Sequence, residues 1–143
     1  LQRANVHLGI DAEYSMKTGK LPGTAIGSFD AADINFATAW LQTIVLKYKL
    51  PPKMLVVHRF TSPMLTNYRN INTCSEVQII INMDGFGNAV LKKSTYFHFI
   101  FKQPVQFTGF KVFYKNDAVN GNEIMQPKEI LQLKPQPVYI QYQ

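Results

Sequence analysis

Five short apolar runs, each separated from the next by a helix-type or turn-rich segment, constrain this chain more than any other feature. They lie at about 5–12, at Met54–His58 extending to Phe60, at Val77–Asp84, at about 107–114 and at Pro137–Gln143. Each is too short for a helix and rich in β-branched or aromatic residues, which marks strands. Asp30 predicts a helix N-cap, with Asp33 in the capping-box position and Phe29 able to staple to Ile34. Phe36, Ala37, Trp40, Leu41, Ile44, Val45 and Tyr48 then recur at helical spacing as one buried face, so Trp40 reads as core, and Pro51-Pro52 stops the helix. Ser62-Pro63 opens a short helix through Tyr68, a third helix covers about 89–102, and Pro127 starts a two-turn fourth. Strands alternating with helices predict right-handed crossovers and a parallel sheet of five strands with four connecting helices.

Two parallel architectures fit 143 residues: a doubly wound sheet, or the C-terminal five strands of a (β/α)8 barrel, which needs about 250 residues when whole. Strands covered on both faces read as continuous apolar runs. Here polar residues repeat with period two: His7, Gly9, Asp11 and Glu13; Gln78, Asn82 and Asp84; Lys111, Lys115 and Asp117; Gln141 and Gln143. The alternate positions (Val6, Leu8, Ile10; Val77, Ile79, Ile81; Phe110, Val112; Val138, Ile140) are apolar. One polar and one apolar face is the pattern of a barrel near its mouth. The expectation is a single partial barrel over 1–143, lacking its N-terminal strands. Five strands leave open edges, so a second chain or a missing N-terminal segment is expected to complete it, and Leu1 in place of an initiator Met agrees with a removed leader or segment.

Composition narrows the function classes. Hydrophobic residues make up 46% and aromatics 13%, which excludes a disordered polar chain. No apolar run approaches the ~18 residues of a membrane span. Cys74 is the single cysteine, so no internal disulfide or cysteine metal cluster is expected. The net charge is +6, which raises nucleic acid as a partner. The lysines are scattered among Lys47, Lys49 and Lys53, Lys92, Lys93 and Lys102, and Lys128 and Lys134, reading as solvated surface rather than a basic stripe, so nucleic acid is not expected.

In βα folds the chemistry sits at the C-terminal ends of strands. Asp11, Glu13, His58, Arg59, Asp84, Tyr114, Lys115, Asp117, Gln141 and Gln143 collect there. Asp11 and Glu13, two apart on a strand, share a face with about 6.6 Å between them along the backbone, at about 3.3 Å per residue. Paired carboxylates suit acid–base cleavage of a glycosidic bond, with Glu13 as general acid, Asp11 orienting it or attacking, and Asp84 assisting. Equally, the two acids suit a helix cap or a loop ion pair. His58 reads as a sugar hydrogen-bonder or a structural donor, and Asp84 before Gly85-Phe-Gly87 as a ligand group or an Asx-turn. Tyr14, Phe86 and Tyr114 are candidates for stacking on a pyranose, with Asp117 and Gln141 as further substrate contacts. No dinucleotide fingerprint, P-loop or HExxH is present, so neither cofactor nor metal is expected, although Asp11, Glu13 and Asp84 remain a possible hard-cation set.

The stretch His7-Leu-Gly-Ile-Asp-Ala-Glu-Tyr14 resembles the Asp-x-Glu strand of TIM-barrel glycosidases such as the chitinase-like hydrolases and Chalaropsis-type lysozymes. Ile81-Asn-Met-Asp84 stands where a later strand of the chitinase-like group ends in an assisting Asp. Val6 and Gly9 depart from that group's further acids, and Tyr142 from its terminal Trp. Across nearly the whole chain, HLGIDAEYSM, PGTAIGSFDAADIN, LVVHRF, INMDGFG, GFKVFYKND and PVYIQYQ look like a family of uncharacterised bacterial secreted proteins and lipoproteins. That resemblance implies an extracellular or cell-envelope location. Together the two imply a glycoside hydrolase-like protein acting on a polysaccharide or cell-wall glycan; the alternative is a non-catalytic envelope binding or structural protein on a barrel scaffold.

Overall fold

A computed structural model describes residues 1–143. The main sheet holds β1 (Leu8–Asp11), β3 (Lys53–Arg59), β5 (Val77–Met83), β6 (Phe107–Val112) and β7 (Tyr139–Tyr142), all parallel and side by side in chain order. A doubly wound sheet reverses direction at a switch point. This one never does, and it curls into a half-barrel. Two-residue strands β2 (Phe29–Asp30) and β4 (Leu65–Thr66) form a separate parallel ribbon.

The two-faced reading of the strands holds through the register. Asp11, His58, Asn82, Gly109 and Tyr139 lie level across five strands on the concave side. One residue earlier, Ile10, Val57, Ile81 and Thr108 lie level on the convex side. There Leu55, Val57, Val77, Ile79, Ile81, Met83, Phe110 and Val112 form the core with Ile34, Leu41, Tyr96, Ile100 and Ile130 from the outer layer. Each such side chain contributes about 1.5–3 kcal/mol by leaving water. Val6 and Val138, expected on this face, precede the strands and are exposed.

Helix α1 (Ala31–Tyr48) starts as its sequence requires: the Asp30 carboxylate accepts from Ala32 N (3.1 Å) and Asp33 Oδ2 accepts from Asp30 N (2.7 Å). Its buried stripe is Ala31, Ile34, Thr38, Leu41 and Val45, which shares only Leu41 and Val45 with the predicted face. Phe36, Trp40 and Tyr48 are 76%, 49% and 39% exposed. No charge occurs between Asp33 and Lys47, so apolar residues encircle the helix while a sheet can cover only one side of it.

Three α-helices form, not four. The second crossover is a 3₁₀ turn (Ser62–Met64), β4 and another 3₁₀ turn (Tyr68–Asn70). Thr66 Oγ1 and Asn67 Nδ2 each donate to Asp30 Oδ2 at 2.7 Å, and Asn67 adopts φ 54°. Polar side chains thereby tie this segment to the start of α1 and divert it from helix. Helix α2 (Ala89–Tyr96) widens into a π-helical turn at Phe97–Phe101, and α3 is only Pro127–Ile130.

The scattered-surface reading of the cations needs correction. Lys53, Arg59 and Lys92 are fully buried and Lys111 nearly so. Lys53 donates to the carbonyls of Arg3, Ala4 and Val6, anchoring the N-terminal segment. Arg59 points into the core rather than the strand-exit mouth and donates to the carbonyls of Thr61, Ser62, Leu65 and Phe99 and to Gln103 Oε1. Burial lowers its pKa to about 10, which leaves it charged at neutral pH. No helix is long and apolar enough to cross a membrane.

Candidate acid–base cleft

Strand β1 ends at Asp11, earlier than expected, so Glu13 lies in a 3₁₀ turn (Ala12–Tyr14) instead of on the strand. Asp11 Oδ1 accepts the Glu13 N–H at 3.0 Å, so the capping role foreseen for this acid is real. The turn is closed from behind by Gly27, whose N–H donates to Glu13 O at 2.8 Å. A Cβ at Gly27 would stand 2.4 Å from Ser15 O and 2.6 Å from Ala12 O, so only glycine permits this approach.

A cleft of about 800 Å³ opens over the strand exits. Asp11 at the end of the first strand, Glu13 and Tyr14 in the turn after it, and Gln143 just past the last strand all line it, as the curl of the sheet allows. Asp84 and Lys111 form its floor; Phe60, Phe86, Leu91 and Phe113 supply apolar wall, with Thr95 among them. Phe86 meets Phe113 edge to face, ring centres 6.2 Å apart.

Asp84 is the electrostatic centre. Its side chain is 6% exposed; Lys111 Nζ lies 2.8 Å from Oδ1 and His58 Nδ1 3.2 Å from Oδ2. The ammonium meets Oδ1 off the hydrogen-bond axis, so this contact is chiefly ionic. Burial is the largest single influence and opposes ionisation, but His58 and Lys111 together outweigh it and hold the Asp84 pKa below the ordinary carboxylate value. Glu13 moves the opposite way. Burial, then the charge of Asp11, then that of Asp84 push its pKa up, partly offset by Lys111. Two acids in one cleft are thus separated, one kept anionic and the other inclined to hold its proton.

The remaining expected residues divide. Tyr14 stands at the cleft rim, and Tyr114 in an adjoining lobe, stacked on Tyr142 with centroids 5.8 Å apart. His58 and Gln141 lie beneath the cleft: His58 supports Asp84, and Gln141 Oε1 accepts from Asn82 Nδ2 at 3.3 Å. Asn82 is wholly buried with its Oδ1 unpartnered. Lys115 and Asp117 are not on a strand, since β6 ends at Val112. Asp117 is buried; its oxygens accept from Gly87 N (2.9 Å) and Phe113 N (2.9 Å), and Lys92 Nζ forms an ion pair with it at 2.9 Å. Burial keeps that carboxylate from a substrate; it binds two loops together. The central part played by Lys111, and the walls Phe60, Leu91, Thr95 and Phe113, went unseen in the sequence. Lys111 was visible only as one of the period-two polar positions. No group of three or more His, Cys, Asp or Glu side chains is placed to hold a metal ion. No protein-family model, curated protein or solved structure matches this chain.

Proposed function

We propose that the cleft is an acid–base site for hydrolysis of a glycan, with Glu13 as proton donor. The observation that carries this reading is the gathering of Asp11, Glu13 and Asp84 in one cleft, where the surroundings raise the Glu13 pKa and lower that of Asp84. Glu13 delivers its proton to the glycosidic oxygen as the bond to the anomeric carbon breaks. Positive charge developing at that carbon is stabilised by a neighbouring carboxylate, Asp11 or Asp84, until water adds and returns a proton. The aromatic walls suit the apolar faces of sugar rings. The resemblance of the Asp11–Glu13 segment to glycosidase strands supports the same chemistry, and the wider resemblance adds an extracellular or envelope location.

The test is hydrolysis of a panel of neutral polysaccharides and cell-wall glycans by the protein and its Glu13→Gln variant. Removing a positioned general acid costs about 10²–10⁴-fold in rate. Equal turnover by both proteins on a responsive glycan removes Glu13 from the mechanism. A second reading, a binding module without catalysis, draws on one fact: Asp11 is committed to the Glu13 N–H and Asp84 to Lys111 and His58. Saturable glycan binding with no cleavage by either protein would favour it.

A further inference from the structure

The cleft does not end at its own walls. It shares Phe113, Asn116 and Gln143 with a lobe of about 270 Å³, and Phe86, Leu91 and Asn116 with another of about 430 Å³. The three depressions thus adjoin one another across walls they share, along one side of the strand exits. A central volume of about 800 Å³ already lies within the range of about 300–1,000 Å³ that holds one small ligand. The lobes therefore add room that a simple glycoside would leave empty.

Their chemistry is consistent. The larger lobe is lined by Asn88, Asn116, Asn120 and Asn122 beside Phe86 and Val119, with no charged residue; Asn88 Oδ1 already accepts from Leu91 N and Asn122 Nδ2 donates to Val119 O, which leaves the Asn88 amide nitrogen and the Asn122 amide oxygen for a ligand. The smaller presents Tyr114, 57% exposed and backed by its stack on Tyr142, with Lys115 as its cation. A polyanion would call for clustered Arg and Lys, and a lipid for continuous apolar wall. Amides beside aromatic faces match a neutral polyhydroxylated chain. The walls are also pre-formed. The two loops that carry them, 84–88 and 113–122, are joined by the buried Asp117 through Gly87 N and Phe113 N and by its pair with Lys92. Walls held in this way need little ordering when a ligand arrives.

We propose that the cleft and its lobes together form a groove that binds a neutral oligosaccharide chain of more than two sugar units, so that the acids act within a chain and not on a small glycoside. This rests on the glycan reading above and names its substrate class. The experiment measures calorimetric affinity of Glu13→Gln protein, which leaves bound chains uncut, for neutral β-linked gluco-, manno-, xylo- and chito-oligosaccharides of two to six units. Tyr114→Ala and Asn120→Gly are compared in that background; glycine keeps the left-handed backbone of Asn120 (φ 62°) while removing the amide. The expected result is affinity rising with length beyond two units. Tyr114→Ala should lose about tenfold on the longest chain, the worth of one aromatic contact, and progressively less on shorter ones. If affinity is flat from two to six units, or both variants match their parent on the longest chain, the extended groove is overturned while the glycan reading stands. If no oligosaccharide binds at millimolar concentration, the glycan reading fails and the extension falls with it.

Discussion

Replacing Lys111 by Met tests the electrostatic core of the site without needing a substrate. Lys111 and Asp84 are 10% and 6% exposed at the side chain, with Nζ 2.8 Å from Oδ1. Methionine preserves much of the stem packed against Phe113, over which the ammonium sits at 4.6 Å, but it deletes the charge. Removing one partner of a buried pair typically costs about 3–5 kcal/mol, because the other charge is left unmatched. His58 still holds Oδ2 at 3.2 Å, which argues for the lower end, about 3 kcal/mol. With an m-value of about 2 kcal/mol/M in urea, the unfolding midpoint should fall by about 1.5 M. The effect must also depend on pH. In the parent, the lowered pKa of Asp84 contributes stability present above the ordinary carboxylate value and lost as pH falls through the folded one. In the variant, burial dominates and the Asp84 pKa rises, so acidification protonates it and narrows the deficit. Asp84→Asn in the same chain removes the stranded charge, and the double variant should cost less than the sum of the singles by about 2 kcal/mol. Urea titrations of the four proteins at about pH 7 and about pH 4 measure all of this. A loss below about 1 kcal/mol, a deficit indifferent to pH, or simple additivity would show that Asp84 is not a held anion, and the opposed environments read for Asp84 and Glu13 would fall too.

Glu13 gives the opposite pH signature. Its pKa is raised on folding, so the native state loses stability as pH climbs from the ordinary glutamate value through the raised one. Glu13→Gln should therefore be more stable than the parent at neutral pH and indistinguishable near pH 3, as read by thermal melts. By the same sign, hydrolysis should decline as pH rises through the Glu13 pKa. Gly27→Ala should break the turn that carries Glu13, since its Cβ would meet the Ser15 and Ala12 carbonyls; a loss of about 1–3 kcal/mol with near-complete loss of activity is expected, and a fully active, undiminished variant would refute the close approach. Arg59→Met leaves the Thr61, Ser62 and Phe99 carbonyls without their donor, at about 1–3 kcal/mol for each group left buried and unpaired. Chemical denaturation should show a loss of several kcal/mol, and a loss under about 1 kcal/mol would mean water replaces the guanidinium.

Groups with no apparent tie to the chemistry prepare the cleft. Arg59 ties the loop after β3, which follows on from Phe60, to the π-helical turn at Phe99. Lys92 caps the Gly85 and Lys111 carbonyls at 2.9 and 2.8 Å and pairs with Asp117. Burial lowers the Lys92 pKa, against the pull of Asp117. These buried cations are costly to desolvate. What they secure is the geometry of the loops at the mouth, where no regular secondary structure could hold it.

The amino-acid order by itself determined the elements whose cause is local. Alternation along β1, β5 and β6 expressed which face meets helices and which lines the concavity, because side-chain direction has a period of two residues wherever a strand runs. Asp30 and Asp33 announced the start of α1 because a cap is formed by neighbours in sequence. The sequential sheet was foreshadowed by the same polar face. Tertiary structure alone decided which side of α1 is covered, since Phe36, Trp40 and Leu41 are equally apolar and only packing chooses among them. It also moved Glu13 off the strand and into a turn closed by Gly27, fourteen residues away. It turned Lys92, Lys111 and Arg59 inward, and it set Lys111 from the fourth strand of the main sheet against Asp84, which follows the third. Charge pairing depends on distance in space, which residue spacing does not encode once the chain has crossed to another strand. For that reason the acids were legible as candidates, and what pushes the pKa of one down and of the other up appeared only in the fold.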